Sequence, residues 1–258
     1  MLLATRYFKT LIILKSQDEI KRIAEACRIV AEALDGVREM VSPGISTREL
    51  DSFAESFIRS KKARPAFKGY RGYPASLCTS INEQVVHGIP SLTRVKEGDI
   101  ISLDVGVHYR GFYGDAAVTL PVGRVSEKAR RLLTVTEESL YSGLKKAVVD
   151  NRLSDISCAI QGHVEAAGFS VVRSFVGHGI GRELHEEPQV PNYGRPGEGV
   201  VLMGGMTLAI EPMVNAGGWE VDVLEDGWTA VTKDRSLSAH FEHTVAITAE
   251  GPKTLTKL

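Results

Sequence analysis

Five side chains of this sequence could do chemistry together: Asp104, Asp115, His178, Glu211 and Glu242. Four are carboxylates in apolar, strand-like surroundings. Asp is depleted from strands, and a buried unpaired carboxylate protonates, pairs or binds a cation. Asp104 lies in Ile100-Ile101-Ser102-Leu103-Asp104-Val105-Gly106, and Asp115 in Phe112-Tyr113-Gly114-Asp115-Ala116-Ala117. Taken alone, the pair reads rather as strand-end residues bonded to turn amides. With Glu211, Glu242 and the glycine-flanked His178 the argument changes, because four buried carboxylates cannot all stay charged together without cations. One imidazole and four hard oxygen donors suit two divalent metals sharing bridging carboxylates, with Mn, Fe or Co fitting better than a sulfur-bound zinc site. Two metals side by side can hold a hydroxide and polarise a carbonyl, which is the apparatus of amide hydrolysis. Glycines beside His178 would let backbone and substrate approach closely.

The elements that must position these groups follow from patterning. Ser16-Gln17-Asp18-Glu19 and Ser46-Thr47-Arg48-Glu49 are capping boxes. Each precedes an apolar stripe of helical period, Ile20 to Val37 and Leu50 to Ile58. Cys27 lies on the first stripe, so packing is its expected role. Ser126 opens a third helix and Ser154 a fourth. Short strands are expected at residues 11–14, 100–107, 112–120, 169–172 and 205–211, with a paired set at 228–232 and 239–248. A turn is expected at Tyr109-Arg110-Gly111. Residues 63–90 are irregular and glycine-rich, too long for a simple connector, and long ordered loops are usually functional. His87 stands near the end of that stretch, where a satisfied structural histidine is the commoner outcome. The two halves resemble each other: Gly98 precedes Asp104 by the interval at which Gly205 precedes Glu211, and each half begins with two helical patterns. A duplicated helix–helix–strand unit would bring the four carboxylates together at the seam.

The chain has 258 residues, 43% hydrophobic and 24% charged, ample for a large core. A net charge of -1 gives no electrostatic case for nucleic acid or a membrane surface. Three widely spaced cysteines form no C-x-x-C, so neither a disulfide framework nor a thiolate zinc site is suggested, and a reducing cytoplasm is expected. No run approaches the roughly 20 apolar residues of a membrane span.

Several segments together resemble the type I methionine aminopeptidases. They are Ser80-Ile81-Asn82-Glu83-Gln84-Val85-Val86-His87-Gly88-Ile89-Pro90, Leu103-Asp104-Val105-Gly106 with Gly114-Asp115, and Val176-Gly177-His178-Gly179-Ile180-Gly181. Ala209-Ile210-Glu211-Pro212-Met213-Val214 and Ser238-Ala239-His240-Phe241-Glu242-His243-Thr244 complete the set, in the family's order and spacing. The resemblance runs from about Ser16 to the C-terminus. It implies the pita-bread fold, an α/β (α+β) arrangement of two pseudo-symmetric halves with a central antiparallel sheet. Residues 1–10 lie outside it and are expected to be a flexible lead-in to a single catalytic domain at 11–258.

The resemblance implies removal of the initiator methionine from nascent polypeptides whose second residue is small. It implies two divalent ions (Co, Mn, Fe or Zn) held by Asp104, Asp115, His178, Glu211 and Glu242. Glu211 matches the residue proposed to shuttle the water's proton, and His87 and His185 match two nonligand histidines that contact the scissile peptide. By position the methionine pocket is Phe67, Tyr70, Tyr73, Cys78, Leu184 and Trp228, where aromatics and a sulfur suit a thioether. Some relatives carry Cys at the place of Phe67 and Phe at that of Leu184, and Met203-Gly204-Gly205-Met206 departs from a common Lys-Pro-Gly-Met. No inserted helical subdomain of the type II enzymes is evident. Nascent-chain N-termini are the expected partners, with the ribosome a candidate dock; a monomer is expected, without membrane or nucleic-acid binding. The rivals are a proline-specific peptidase of the same fold, a noncatalytic peptide-binding protein on that fold, and structural ion pairs. Too few basic residues stand in the motif segments for the last.

Overall fold

A computed structural model describes residues 11–257; the lead-in expected at 1–10 lies outside the described residues. The capping boxes start helices as their chemistry dictates. Ser16 accepts the Glu19 amide and Glu19 returns to Ser16 at the head of α1 (Gln17–Met40). Ser46 and Glu49 do the same for α2 (Thr47–Ser60), and Ser126 caps α3 (Glu127–Leu144). The fourth helix, α4 (Leu153–Ala166), begins earlier than the Ser154 start expected. Asp155 accepts the Arg152 amide, so Arg152 takes the cap, and Ser154 donates to the Glu198 carbonyl instead.

The first half contributes strands β1 (Arg64–Pro65), β2 (Cys78–Ile81), β3 (Gln84–Val86), β4 (Ile100–Tyr109) and β5 (Phe112–Pro121). The second contributes β6 (Ser170–Val171), β7 (Gly177–Gly179), β8 (Glu186–Val190), β9 (Thr207–Ile210) and β10 (Met213–Asn215). It continues with β11 (Val221–Val223), β12 (Ala230–Thr232), β13 (Ser238–His240), β14 (His243–Thr248) and β15 (Gly251–Thr254). All the pairings are antiparallel. β4 carries β5, β1 and β2; β9 lies between β14 and β7 in the order β15-β14-β9-β7-β8. The β4–β5 hairpin turns through Arg110 and Gly111, both at positive φ, the two-residue turn that matches strand twist.

The seam between halves runs along β5. Glu242 N–H donates to Ala117 O at 2.9 Å. On either side threonine hydroxyls replace the ladder: Thr244 Oγ1 bonds both N and O of Asp115, and Thr119 Oγ1 bonds both N and O of His240. Positions 115, 117 and 119 thus face 244, 242 and 240. Behind the hairpin, α1 packs so closely that a Cβ on Gly114 would stand 2.8 Å from Cys27 N, so glycine is required next to Asp115. Cys27 is fully buried there, as its helical position predicts.

Four further expectations differ. Residues 11–14 form no strand; Lys15 N–H makes a single bond to Gly205 O and no ladder follows. The stretch 63–90 is not wholly loop, since β2 and β3 lie inside it. The strands at 228–232 and 239–248 do not pair: β12 joins β3 and β11, and β13 joins β10. The strands expected at 169–172 and 205–211 shorten to β6 and β9, which leaves Glu211 just beyond its strand.

Candidate metal centre and substrate pocket

The hairpin places Asp104 opposite Ala117 and Asp115 opposite Gly106. In the second half, Ile210 is opposite His243, so Glu211 leaves β9 at the level where Glu242 precedes β14. His178 sits in β7, paired with Ala209 of β9. All five line one cleft of about 160 Å³. Ligand atoms of Asp115, His178 and Glu242 lie within 4.8 Å of one another. His178 Nε2 stands 3.7 Å from Glu211 Oε1 and 4.0 Å from Asp115 Oδ2. His178 Nδ1 is directed at the Gly179 carbonyl at 2.8 Å, which leaves Nε2 for the centre.

The electrostatics are those of buried carboxylates crowded together. Burial pushes the Asp104 carboxyl up to about 7, with His240 pulling against it. Burial likewise pushes Glu211 up to about 7, with His178 opposing. Asp115 and Glu242 are driven well above the carboxylate range, by burial first and then by neighbouring carboxylates. Asp104 Oδ1, Asp115 Oδ1 and Glu242 Oε1 are buried with no hydrogen-bond partner. Orphaned acceptors on converging carboxylates fit hard divalent cations. Cys78 does not join them: burial, then Asp104, raises its thiol pKa, so it stays protonated against the pocket wall.

Every other residue expected at the site is in the same cleft. Phe67, Tyr73, Cys78 and Leu184 are buried in one apolar cluster, with Tyr70 and Trp228 packed on it. The Tyr73 hydroxyl donates toward the Leu77 and Gly88 carbonyls, so the ring alone faces the pocket. His87 rests edge-on against Phe175 and Trp228. His185 stacks on Tyr70, with Nδ1 2.9 Å from the Tyr70 hydroxyl. Burial lowers His87 to about 4, helped by His240, and His185 to about 3, helped by His178.

Two residues escaped the reading of the sequence. Arg71 lines the cleft from the Tyr70 turn, and no pattern marks it. His240 stands behind the carboxylates, 2% exposed, with Nε2 unpartnered and 3.6 Å from Glu211 Oε2. A signal existed: His240 precedes Glu242 by two, and strand residues two apart share a face.

The sequence profile of metallopeptidase family M24 matches residues 21–249. The chain is 57% identical to a methionine aminopeptidase of Clostridium perfringens, over 95% of this chain and 99% of that one. It is 53% identical to methionine aminopeptidase 1 of Bacillus subtilis, over 96% of this chain and all of that one. The structure of a methionine aminopeptidase from Thermotoga maritima superimposes with a TM-score of 0.95 at 51% identity, covering 96% of this chain and all of the other. A prolidase from Pyrococcus horikoshii shares the fold at a TM-score of 0.78 and 26% identity, covering 95% of this chain and 63% of the prolidase.

Proposed function

The chain belongs to metallopeptidase family M24 and has its pita-bread fold, and on that premise we infer that it is a metal-dependent aminopeptidase that removes N-terminal methionine. In detail, the substrate is the initiator methionine of nascent chains with a small second residue. The observation that carries this is one cleft with two walls: orphaned carboxylate oxygens with His178 on one, and an apolar, sulfur-containing pocket on the other.

Asp104, Asp115, His178, Glu211 and Glu242 would hold two divalent ions, Co, Mn, Fe or Zn. Bound there, such ions supply Lewis-acid polarisation of the scissile carbonyl and a water deprotonated near neutral pH. Glu211, which lines the cleft beside His178, would take the water's proton and return it. His87 and His185 are neutral at pH 7 and act as hydrogen-bonding groups rather than as cations. His185 commits Nδ1 to Tyr70, leaving Nε2 for the peptide, where bonds to developing charge are worth most. The methionine side chain lies among Phe67, Tyr70, Tyr73, Cys78, Leu184 and Trp228, whose rings and thiol suit a polarisable thioether.

Residues 11–258 work as one catalytic unit, a cytoplasmic monomer receiving polypeptides as they leave the ribosome. No helix among the described residues is long and apolar enough to cross a membrane. The test is residue release by chain stripped and reloaded with Mn, Fe or Co. Met-Ala-Ser should lose methionine while Met-Lys-Ser, Leu-Ala-Ser and Ala-Pro-Ser do not. Cleavage of Ala-Pro-Ser would move the chain to the proline-specific branch. Silence on all four with metal bound would favour peptide binding without catalysis.

A further inference from the structure

Outside the cleft, one ion pair is as buried as the centre itself. Lys15, in the irregular segment before α1, reaches Glu186 at 2.5 Å, and the two side chains are 2% and 7% exposed. The other Glu186 oxygen, Oε1, accepts the amides of Arg182 at 2.7 Å and Glu183 at 3.1 Å. One carboxylate therefore closes the loop 182–186 on itself while Lys15 neutralises it. That loop carries Leu184, 2% exposed in the methionine pocket, and His185, stacked on Tyr70. Lys15 is anchored in turn, its N–H donating to Gly205 O at 2.8 Å. Its stem crosses bare backbone: a Cβ on Gly181 would stand 2.5 Å from Lys15 Cε and 3.0 Å from Glu186 Oε1. A second tie, Arg182 to Glu19 at 2.8 Å, is exposed on the arginine side and screened by solvent.

We propose that Lys15 is a positioning residue: through Glu186 it holds the loop that presents His185 to the substrate. Burial of both side chains leaves the pair little screened, and among the described residues no other cation stands against Glu186. The proposal rests on the aminopeptidase reading of the cleft only for its activity readout.

The experiment compares Lys15→Met, Lys15→Arg and the double variant Lys15→Met/Glu186→Gln, each with and without His185→Ala. The double variant leaves no buried charge unpaired, so it keeps the test open should Lys15→Met fail to fold. On Met-Ala-Ser, kcat/KM of the reloaded enzyme should fall about ten- to hundredfold, the scale of a misplaced contact, with metal affinity unchanged. Lys15→Arg should recover most of the loss. In the His185→Ala background the Lys15 effect should shrink to within about threefold, because the group being positioned is gone. Independently of activity, the His185 imidazole NMR signals, assigned by their loss in His185→Ala, should shift in the double variant. Unmoved imidazole signals, full kcat/KM, or a loss that adds in full to that of His185→Ala would each overturn the proposal. A wild-type chain that releases no methionine would sink the activity reading, while the imidazole signals would still decide the role of Lys15.

Discussion

The two halves place their carboxylates by different means. In the first, Asp104 and Asp115 lie inside ten-residue strands of a tight hairpin, and the ladder sets both short side chains. In the second, Glu211 follows the end of β9 and Glu242 precedes β14, held by a single N–H bond to Ala117 O across the seam. Both are the longer acid. A regular strand can present an Asp, whereas a chain leaving its strand needs the extra methylene to reach the same point. The histidines cross over in the same spirit. His87 comes from the first half and rests on Phe175 and Trp228 of the second, while His185 comes from the second and rests on Tyr70 of the first.

The comparison can be broken at several points. The largest effect should come from Glu211→Ala or His178→Ala, which should remove activity by at least about a thousandfold with the fold kept. Circular dichroism and Met-Ala-Ser turnover check this, and full turnover in either metal-loaded variant would contradict the assignment. His87→Ala should lower turnover by about two to four decades; an unchanged rate would remove His87 from the chemistry.

At the seam, Thr244→Val should cost about 1–3 kcal/mol in urea unfolding, because the buried N–H and C=O of Asp115 lose their shared partner. If Thr244→Val is silent, the seam is held by its remaining hydrogen bonds, Glu242 to Ala117 and Thr119 to His240, and by packing.

The smallest effect concerns pH. Asp104 and Glu211 have carboxyl pKa values raised to about 7, and burial raises Asp115 and Glu242 as well, so the metal-free folded state holds protons that the unfolded state has released. Stability from these groups is full below about 4 and is lost as pH rises through 7. His87 and His185 are lowered and work in the opposite sense, but only below their ordinary value of 6.5. Between pH 6.5 and 8 the metal-free Tm should therefore fall, and saturating Mn should abolish the slope. A flat metal-free profile would mean the carboxylates are not buried together.

Much of this was legible in local pattern. Capping boxes and helical stripes marked the first two helices because caps act within one turn. The four carboxylates of the proposed metal site stood out because acids in apolar strands need an explanation. The start of α4 shifted only slightly, because Asp155 accepts the Arg152 amide and so moves the cap from Ser154 to Arg152. β12 was assigned the wrong partner: it joins β11, just before it in the chain, and β3, far earlier, where no short-range pattern points. His240 was overlooked although strand alternation put it on the face of Glu242.

The sequence by itself determined the chemistry available: which acids and histidines exist, and that cations are needed to keep so many buried carboxylates together. Tertiary structure decided which of them meet. Asp115 and Thr244 are 129 residues apart and share two hydrogen bonds; Lys15 and Glu186 are 171 apart and share a buried charge. Neither pairing has a local signature, because the free energy that selects it, desolvation of a polar group that must then find its partner, exists only after the two halves close.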